Sequence, residues 1–316
     1  SCGRSLSFSE NYSPPTTTDP MSRPQDIIIR FRSGLANRMF QYAYYLYLRQ
    51  KGYNVWMDST SYQISHAHEQ VEWQRIFPNA TIEEAPSRLI NRYGGGSDLL
   101  SKVRRHIPHA SRVWWRMEDP TFRLPTEEEL RKRPYLIGFF QRADMVAQVK
   151  ERICKNFQFV PFEPHTPYAE LAQRLANEES VAIHVRKAKD YTCLPCFHNT
   201  CSEAYYAHAI DYMKQHLQHP RFYIFTDNPT WVKQHLPEEC ECVGTGITSG
   251  WGNHFDMQLM SCCQHNIIAN STYSWWGAFL NSNPDKRVIM PSHWFNPQLY
   301  PKPEDALRAE GWVSLD

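Results

Sequence analysis

The sequence lacks an excess of charge of either sign, and it lacks a long apolar run. Its 316 residues carry 34 Lys and Arg against 33 Asp and Glu, which gives a net charge of +1. A chain without a basic field does not hold a polyanion by phosphate neutralisation, so we expect no nucleic-acid partner. No stretch approaches the roughly 18 apolar residues of a membrane span, and no signal-peptide pattern is present. We therefore expect a soluble chain, with peripheral membrane association left open.

A regular disulfide framework is also missing. Nine cysteines in a chain of this length define no such framework, and their odd number leaves at least one thiol unpaired within the chain. Reduced thiols and a cytoplasmic protein of bacterial type are the expectation; the lumenal part of a truncated membrane-anchored protein is the alternative. Residues 1–24 are polar and aperiodic, which favours a disordered leader or a non-native remnant.

Short apolar runs alternate with helical patterns in two stretches of the chain. Residues 27–31 and 53–57 are predicted strands flanking a helix at 39–48, whereas residues 59–134 are less periodic. From residue 180 onward, strands are predicted at 181–185, 222–225, 266–269 and, as the last strand, 287–290, with helices at 205–217, 231–235, 256–263 and 275–280. This order predicts an α/β fold of two Rossmann-like domains, 25–165 and 166–316, facing a central cleft.

The first segment with candidate ligand-binding residues follows the first predicted strand. Gly34 allows the backbone to approach a ligand closely, and amide groups at a helix start attract an anion. Asn37 lies three residues further on. The alternative interpretation is an ordinary strand-to-helix turn in which Asn37 only caps the helix.

The second segment ends the strand predicted at 181–185. His184 and Arg186 share one face of this strand, and an Arg at a strand end can bind a diphosphate with two parallel hydrogen bonds. The alternatives are a buried Arg paired with a carboxylate, and a His whose hydrogen bonds are satisfied within the core.

The third segment consists of Asp256 and of the polar run that begins at Asn270. A carboxylate at Asp256 can accept both N–H donors of a guanine edge, while hydroxyl groups at a helix start suit a pyrophosphate. The candidate residues of the run are Asn270, Ser271, Thr272 and Ser274. The alternative makes Asp256 a helix N-cap and the run a capping turn.

Four segments together resemble the α-1,2-fucosyltransferases, glycosyltransferase family 11. They are GLANRMFQYA at 34–43, His-Val-Arg at 184–186, YIFTD at 223–227 and IANSTYSWWGA at 268–278. The resemblance implies a GT-B-like fold, metal-independent and inverting transfer from GDP-fucose, and a β-galactoside-terminated glycan whose galactose 2-hydroxyl is the acceptor. It implies no cofactor, donor binding mainly by the C-terminal half, and an acceptor on the N-terminal side.

The resemblance also assigns roles residue by residue. Arg186 would stabilise the leaving diphosphate, His184 would touch the nucleotide and Asp256 would recognise guanine. Ser271, Thr272 and Ser274 would line the phosphates, and Asn37 would contribute from the opposite domain.

The chain departs from the family pattern around Asp190. Residues 184–191 read HVRKAKDY where the family reads HVRRGDY, and residues 36–38 read Ala-Asn-Arg instead of Gly-Asn-Gln. The inserted residue displaces Asp190 from Arg186. Asp190 is therefore either the base that deprotonates the acceptor hydroxyl or a surface carboxylate beside Lys187 and Lys189.

The cysteines at 193, 196 and 201 lie around His198, and two more follow at 240 and 242. One C-x-x-C with a poorly spaced second pair is an incomplete zinc signature. We expect no metal site, and the alternative is a structural zinc in this loop.

Overall fold

The computed structural model describes residues 25–60, 67–93, 114–116, 122–188, 192–247, 250–301 and 305–316. The predicted leader at 1–24 and Asp190 lie outside these residues. None of the described helices is both long enough and apolar enough to cross a membrane.

The N-terminal half is built on a parallel sheet. Its described strands are β1 Asp26–Arg30, β2 Asn54–Asp58, β3 Trp114–Arg116 and β4 Tyr135–Ile137, in the spatial order β2-β1-β4-β3. The central strand β1 contributes Ile27, Ile28 and Ile29, all fully buried. Burial on both faces is what a continuous apolar run in a parallel strand predicts. Strands β3 and β4 escaped prediction because three-residue runs show no measurable period.

The C-terminal half is built on a second parallel sheet. Its described strands are β5 Ser180–Val185, β6 Arg221–Thr226, β7 Glu241–Cys242, β8 His265–Ile267, β9 Val288–Pro291 and β10 Val313–Leu315, in the spatial order β10-β9-β8-β5-β6-β7. The prediction that the run at 287–290 is the last strand is wrong. Val313–Leu315 pairs with it at the sheet edge, where half-exposed side chains weaken the apolar signal.

Helices connect the strands in both halves. The described α-helices are α1 Leu35–Gln50, α2 Ala67–Ile76, α3 Ser87–Arg92, α4 Glu127–Lys132, α5 Ala143–Ala147, α6 Lys150–Asn156, α7 Pro167–Asn177, α8 Glu203–His216, α9 Pro229–His235, α10 Phe255–Cys262 and α11 Thr272–Leu280. Helix α5 packs on α1 in the N-terminal half, and α7 packs on α10 within the predicted C-terminal domain. The two parallel sheets confirm the predicted α/β fold, and the exact boundary at 165/166 stays a prediction.

One core cluster joins the two halves. Phe40 of α1 packs against Trp275 and Trp276 of α11, with ring centroids 4.8 Å apart in both cases. The indole N–H of Trp276 also donates to the Ala36 carbonyl at 3.0 Å. These apolar contacts place the starts of α1 and α11 next to each other. That placement creates the candidate site described below.

Candidate functional site

A cavity of about 740 Å³ lies between the halves. Its volume is within the roughly 300–1,000 Å³ typical of small-molecule sites. The N-terminal half contributes residues 34–37, Phe139 and Gln141; the C-terminal half contributes the ends of β5 and β6, the start of α11 and several loops. The cavity therefore lies beyond the carboxyl ends of parallel strands, where open α/β sheets hold ligands.

Two helix N-termini meet at this cavity. Gly34 is the N-cap of α1, and Ser271 is the N-cap of α11. The amides of a first helical turn lack partners within their own helix and carry the positive end of the helix dipole. Gly34 has φ −61° and ψ 163°, which any residue adopts, and a Cβ there would meet no atom within 4 Å. Its missing side chain keeps the approach to α1 open.

Asn37 is the residue that links the halves at this point. Its side-chain oxygen accepts hydrogen bonds from Gln141 Nε2 at 2.8 Å and from Thr272 Oγ1 at 3.4 Å, while its Nδ2 donates to Ser33 Oγ at 3.1 Å. Asn37 lies within the first turn of α1 and is not its cap, so the capping interpretation is wrong. Two donors on one oxygen fix the orientation of the amide.

Arg186 forms an ion pair on the opposite wall. Its Nη1 lies 2.9 Å from Asp227 Oδ2, and the other carboxylate oxygen accepts the Lys187 backbone N–H at 2.7 Å. The Asp227 side chain is 7% exposed and that of Arg186 is 31% exposed. The alternative that Arg186 is paired with a carboxylate is thus confirmed. Pairing does not remove Arg186 from the site, because both residues line the cavity.

His184 is held in its neutral form. Burial, followed by the charge of Arg186, lowers the pKa of His184 to about 3. Its Nδ1 is buried without a hydrogen-bond partner among the described residues, and its ring centroid lies 5.9 Å from that of Tyr273. A neutral imidazole can offer one donor and one acceptor to a ligand but is a weak base at this pKa.

Asp256 is the second residue of α10, whose N-cap is His254. The interpretation of Asp256 as the N-cap is therefore wrong. The Thr245 backbone N–H donates to Asp256 Oδ1 at 2.8 Å. Burial raises the pKa of Asp256, against the opposing effect of the Thr245 hydrogen bonds. A Cβ at Gly244 would lie 3.3 Å from Asp256 Oδ2 and 3.1 Å from the β6 backbone, so a larger residue there would crowd this carboxylate.

Tyr273 positions the start of α10. Its hydroxyl accepts the Met257 backbone N–H at 2.9 Å and donates to the Asn253 carbonyl at 2.7 Å. Burial, with the nearby Asp256 charge as a smaller cause, raises the pKa of Tyr273 well above its ordinary value. The phenol thus acts as a fixed hydrogen-bonding bridge between α11 and the Asp256 helix.

The polar run has divided roles. Ser271 and Thr272 line the cavity, and the Ser271 side chain caps α11 by accepting the Tyr273 N–H at 3.3 Å. Asn270 lies in the floor, where its Nδ2 donates to Thr200 Oγ1 at 3.0 Å and to the Trp294 carbonyl at 2.9 Å. Ser274, the third residue of α11, faces the core instead of the cavity: it is fully buried, and its hydroxyl donates to the Ser271 carbonyl at 3.2 Å.

The cysteine loop has no metal-binding geometry in the part of the chain described. No group of three or more His, Cys, Asp or Glu side chains converges there on a point that would hold a metal ion. Cys201 is buried, and its thiol donates to Asn270 Oδ1 at 3.3 Å. This contact ties the loop to the cavity floor.

Several residues of the cavity wall were not predicted as site residues. Asp227 belongs to the quoted YIFTD segment, so its position directly after a strand was an available signal. No such signal was available for Gln141, because the strand that precedes it, β4, is only three residues long and was not predicted. Phe197 ends a short 3₁₀-helix at Pro195–Phe197, and Phe295 and Tyr300 lie on a loop; no periodicity in these segments points to a site.

Comparison with known proteins gives a family and two relatives. A family model described as Glycosyl transferase family 11 matches residues 117–316. The chain is similar to Alpha-1,2-colitosyltransferase of Escherichia coli, with 25% identity over 292 residues that cover 90% of this chain and 99% of that protein. It is also similar to O-antigen biosynthesis glycosyltransferase WbnK of Escherichia coli, at 24% identity over 312 residues covering 89% and 98%.

Two solved structures also share similarity with the chain. One is a mutant of Arabidopsis thaliana FUT1 in complex with GDP, with a TM-score of 0.45, 14% identity, and coverage of 89% of this chain and 74% of that one. The other is a family 9 glycosyl transferase from Veillonella parvula, with a TM-score of 0.39, 14% identity, and coverage of 94% and 88%.

Proposed function

The chain belongs to glycosyl transferase family 11, and from this premise we propose that it transfers fucose from GDP-fucose to the 2-hydroxyl of a galactose, with inversion. The observation that carries the proposal is one cavity in which Arg186, Asp256 and two helix N-termini converge. Such a cavity offers a nucleotide-sugar donor one group for its base and several for its diphosphate.

Asp256 is the proposed guanine-binding residue. One of its carboxylate oxygens is held by the Thr245 N–H, so the carboxylate has a fixed direction in the cavity wall. An ionised carboxylate can accept the N1–H and N2–H donors of guanine as a pair. Uracil presents a single ring N–H on its pairing edge. The arrangement therefore favours GDP over UDP.

The diphosphate is proposed to lie between Arg186 and the two helix starts. Ser271 and Thr272 offer hydroxyl groups, and the first turns of α1 and α11 offer backbone N–H groups. Asp227 holds Arg186 in place before the donor binds. Fixed cationic and N–H donors of this kind stabilise the negative charge that grows on the departing phosphate.

The proposed reaction is a single displacement at the anomeric carbon. The galactose 2-oxygen forms the new C–O bond on one face as the bond to the β-phosphate oxygen breaks on the other, which inverts the configuration. GDP leaves with the bonding electron pair, and the acceptor hydroxyl releases one proton. Asp190, outside the described residues, stays the proposed acceptor of that proton; His184 is a weak candidate because its pKa is lowered to about 3.

A second donor sugar is a specific alternative. The relative from Escherichia coli named Alpha-1,2-colitosyltransferase shares 25% identity with this chain. Its name supports the α-1,2 linkage in our proposal, and it makes colitose the first competing sugar to test. Transfer rates measured with GDP-fucose and GDP-colitose in parallel distinguish the two.

The deciding experiment combines binding with linkage analysis. GDP should raise the melting temperature of the protein and UDP should not, because a ligand that binds only the native state stabilises it by mass action. Incubation with GDP-fucose and lactose should then yield a product whose NMR spectrum shows fucose on the galactose 2-oxygen. Equal shifts with GDP and UDP would contradict the guanine assignment.

Donor hydrolysis separates a transferase from a catalytically silent glycan-binding protein. A transferase should release GDP slowly from GDP-fucose without an acceptor, whereas a lectin of the same fold should release none. Asp256→Asn should lower this release, and the matched control Asp211→Asn should not, since Asp211 lies on α8 and does not line the cavity.

A further inference from the structure

One wall of the cavity consists of aromatic rings. Phe197, Phe295 and Tyr300 line it, and we call these three residues the aromatic wall. The ring centroids of Phe197 and Phe295 are 5.9 Å apart with nearly parallel planes, and those of Phe295 and Tyr300 are 5.5 Å apart. All three are half-buried. Each ring therefore packs on its neighbour and keeps part of its surface accessible in the cavity.

Hydrogen bonds and a further stacked ring hold the aromatic wall in place. The side chain of Asn296 is almost fully buried, and its Nδ2 donates to the Pro195 carbonyl at 2.9 Å. Its backbone N–H donates to the Cys196 carbonyl at 2.7 Å, and Phe122 stacks on Phe295 at 5.7 Å. The two loops that carry the rings are thereby joined, so the rings form a fixed surface.

The same wall is tied to the donor part of the cavity. Asn270 in the floor donates to the Trp294 carbonyl, directly before Phe295 in the chain. The floor and the wall therefore keep a constant separation. A second substrate bound on the wall would lie at a set distance from the helix starts that receive the diphosphate.

Charge is distributed unevenly around the cavity. Among its described lining residues, the ionised groups are Arg186, Asp227 and Asp256, all on the ends of β5, β6 and α10. The aromatic wall and the neighbouring Leu194, which is 44% exposed, carry no charge. A charged occupant would gain no partner on this wall, whereas the C–H face of a neutral sugar ring would find apolar surface.

We propose that the aromatic wall is the acceptor subsite and that it stacks against one C–H face of a neutral pyranose. This inference rests on the proposed function. It places acceptor recognition on two segments of the C-terminal half, 194–197 and 295–300. The family resemblance implies the N-terminal side instead. The hydroxyl-bearing edge of the ring then remains available to point toward the donor.

The test replaces one ring and measures the two substrates separately. Phe295→Leu keeps apolar volume but removes the flat surface, so KM for lactose should rise about tenfold, the size expected for losing an aromatic stacking contact with its buried area. The GDP-induced melting shift and acceptor-free GDP release should stay at wild-type values. Phe295→Trp should keep KM near wild type. The control Tyr212→Leu removes a ring stacked on His216 outside the cavity and should change none of these.

A direct binding measurement completes the design. In saturation-transfer NMR with methyl β-galactoside and GDP, protons of one ring face should receive the strongest transfer, and Phe295→Leu should abolish this selectivity. An unchanged KM in Phe295→Leu would overturn the assignment, and so would a lost GDP shift, which would make the wall part of the donor site. Wild-type protein that binds GDP but transfers no sugar to lactose, with no ring-face selectivity, would also overturn it while leaving donor binding intact.

Discussion

Arg186 can be tested by a double-mutant cycle with Asp227. The structural cost of Arg186→Ala is that Asp227, 7% exposed, loses the cation 2.9 Å away and retains the Lys187 N–H. Breaking a buried pair costs about 3–5 kcal/mol and an exposed one about 0–1 kcal/mol. Because Arg186 is 31% exposed, we expect a loss of about 1–3 kcal/mol of unfolding free energy.

The catalytic cost is expected to be separate and larger. Removing one fixed donor to a developing anion costs about 3–4 kcal/mol, or roughly a hundredfold to a thousandfold in turnover. Arg186→Lys should rescue little, because an ammonium group cannot reproduce the planar fork of a guanidinium. Asp227→Asn keeps the Arg charge and should retain more activity than Arg186→Ala.

The double variant Arg186→Ala with Asp227→Asn distinguishes the two roles. A neutral amide at 227 needs no cation, so the urea midpoint should return toward wild type, while turnover stays low. Turnover is measured as GDP release with and without lactose. The control Arg174→Ala removes an exposed pair with Glu241 and should change neither quantity appreciably. If turnover recovers together with the urea midpoint, Arg186 has only a structural role.

Four further outcomes are expected. GDP affinity should be full above the raised pKa of Asp256 and fall as the pH drops through it, since the ionised form accepts the guanine donors; Asp256→Asn should bind weakly with no such dependence in calorimetry. Gln141→Glu should weaken GDP binding about tenfold, because a carboxylate would repel Asn37 Oδ1 and turn its amide, whereas the exposed Gln148→Glu should not. Gly34→Leu should abolish the GDP melting shift with little change in the melting temperature of the ligand-free protein, as its side chain would project into open cavity; an undiminished shift would contradict our placement of the diphosphate. Activity should survive EDTA, and complete loss restored by Mn²⁺ or Mg²⁺ would refute metal independence.

The apolar runs of the sequence predicted the strands that position the site. Val181 and Ile183 are fully buried in the central strand of the second sheet, as a continuous apolar run indicates. The position of Ser271 at a helix start was also predictable, because helix capping uses hydrogen bonds between residues that are close in sequence. Both features depend on neighbours in sequence.

The partners of the site residues were decided by the tertiary structure alone. Asp227 reaches Arg186 from another strand, and Gln141 reaches Asn37 across 104 residues of chain. Ser274 shares the polar run of Ser271, yet the packing of α11 turns it into the core. A polar residue on a loop has no period, and its hydrogen-bond partner is set by how the sheets and helices pack. The sequence therefore determined the strand ends and helix starts that border the cavity, and the packing of α1 against α11 decided which of their side chains reach it and which of them face one another.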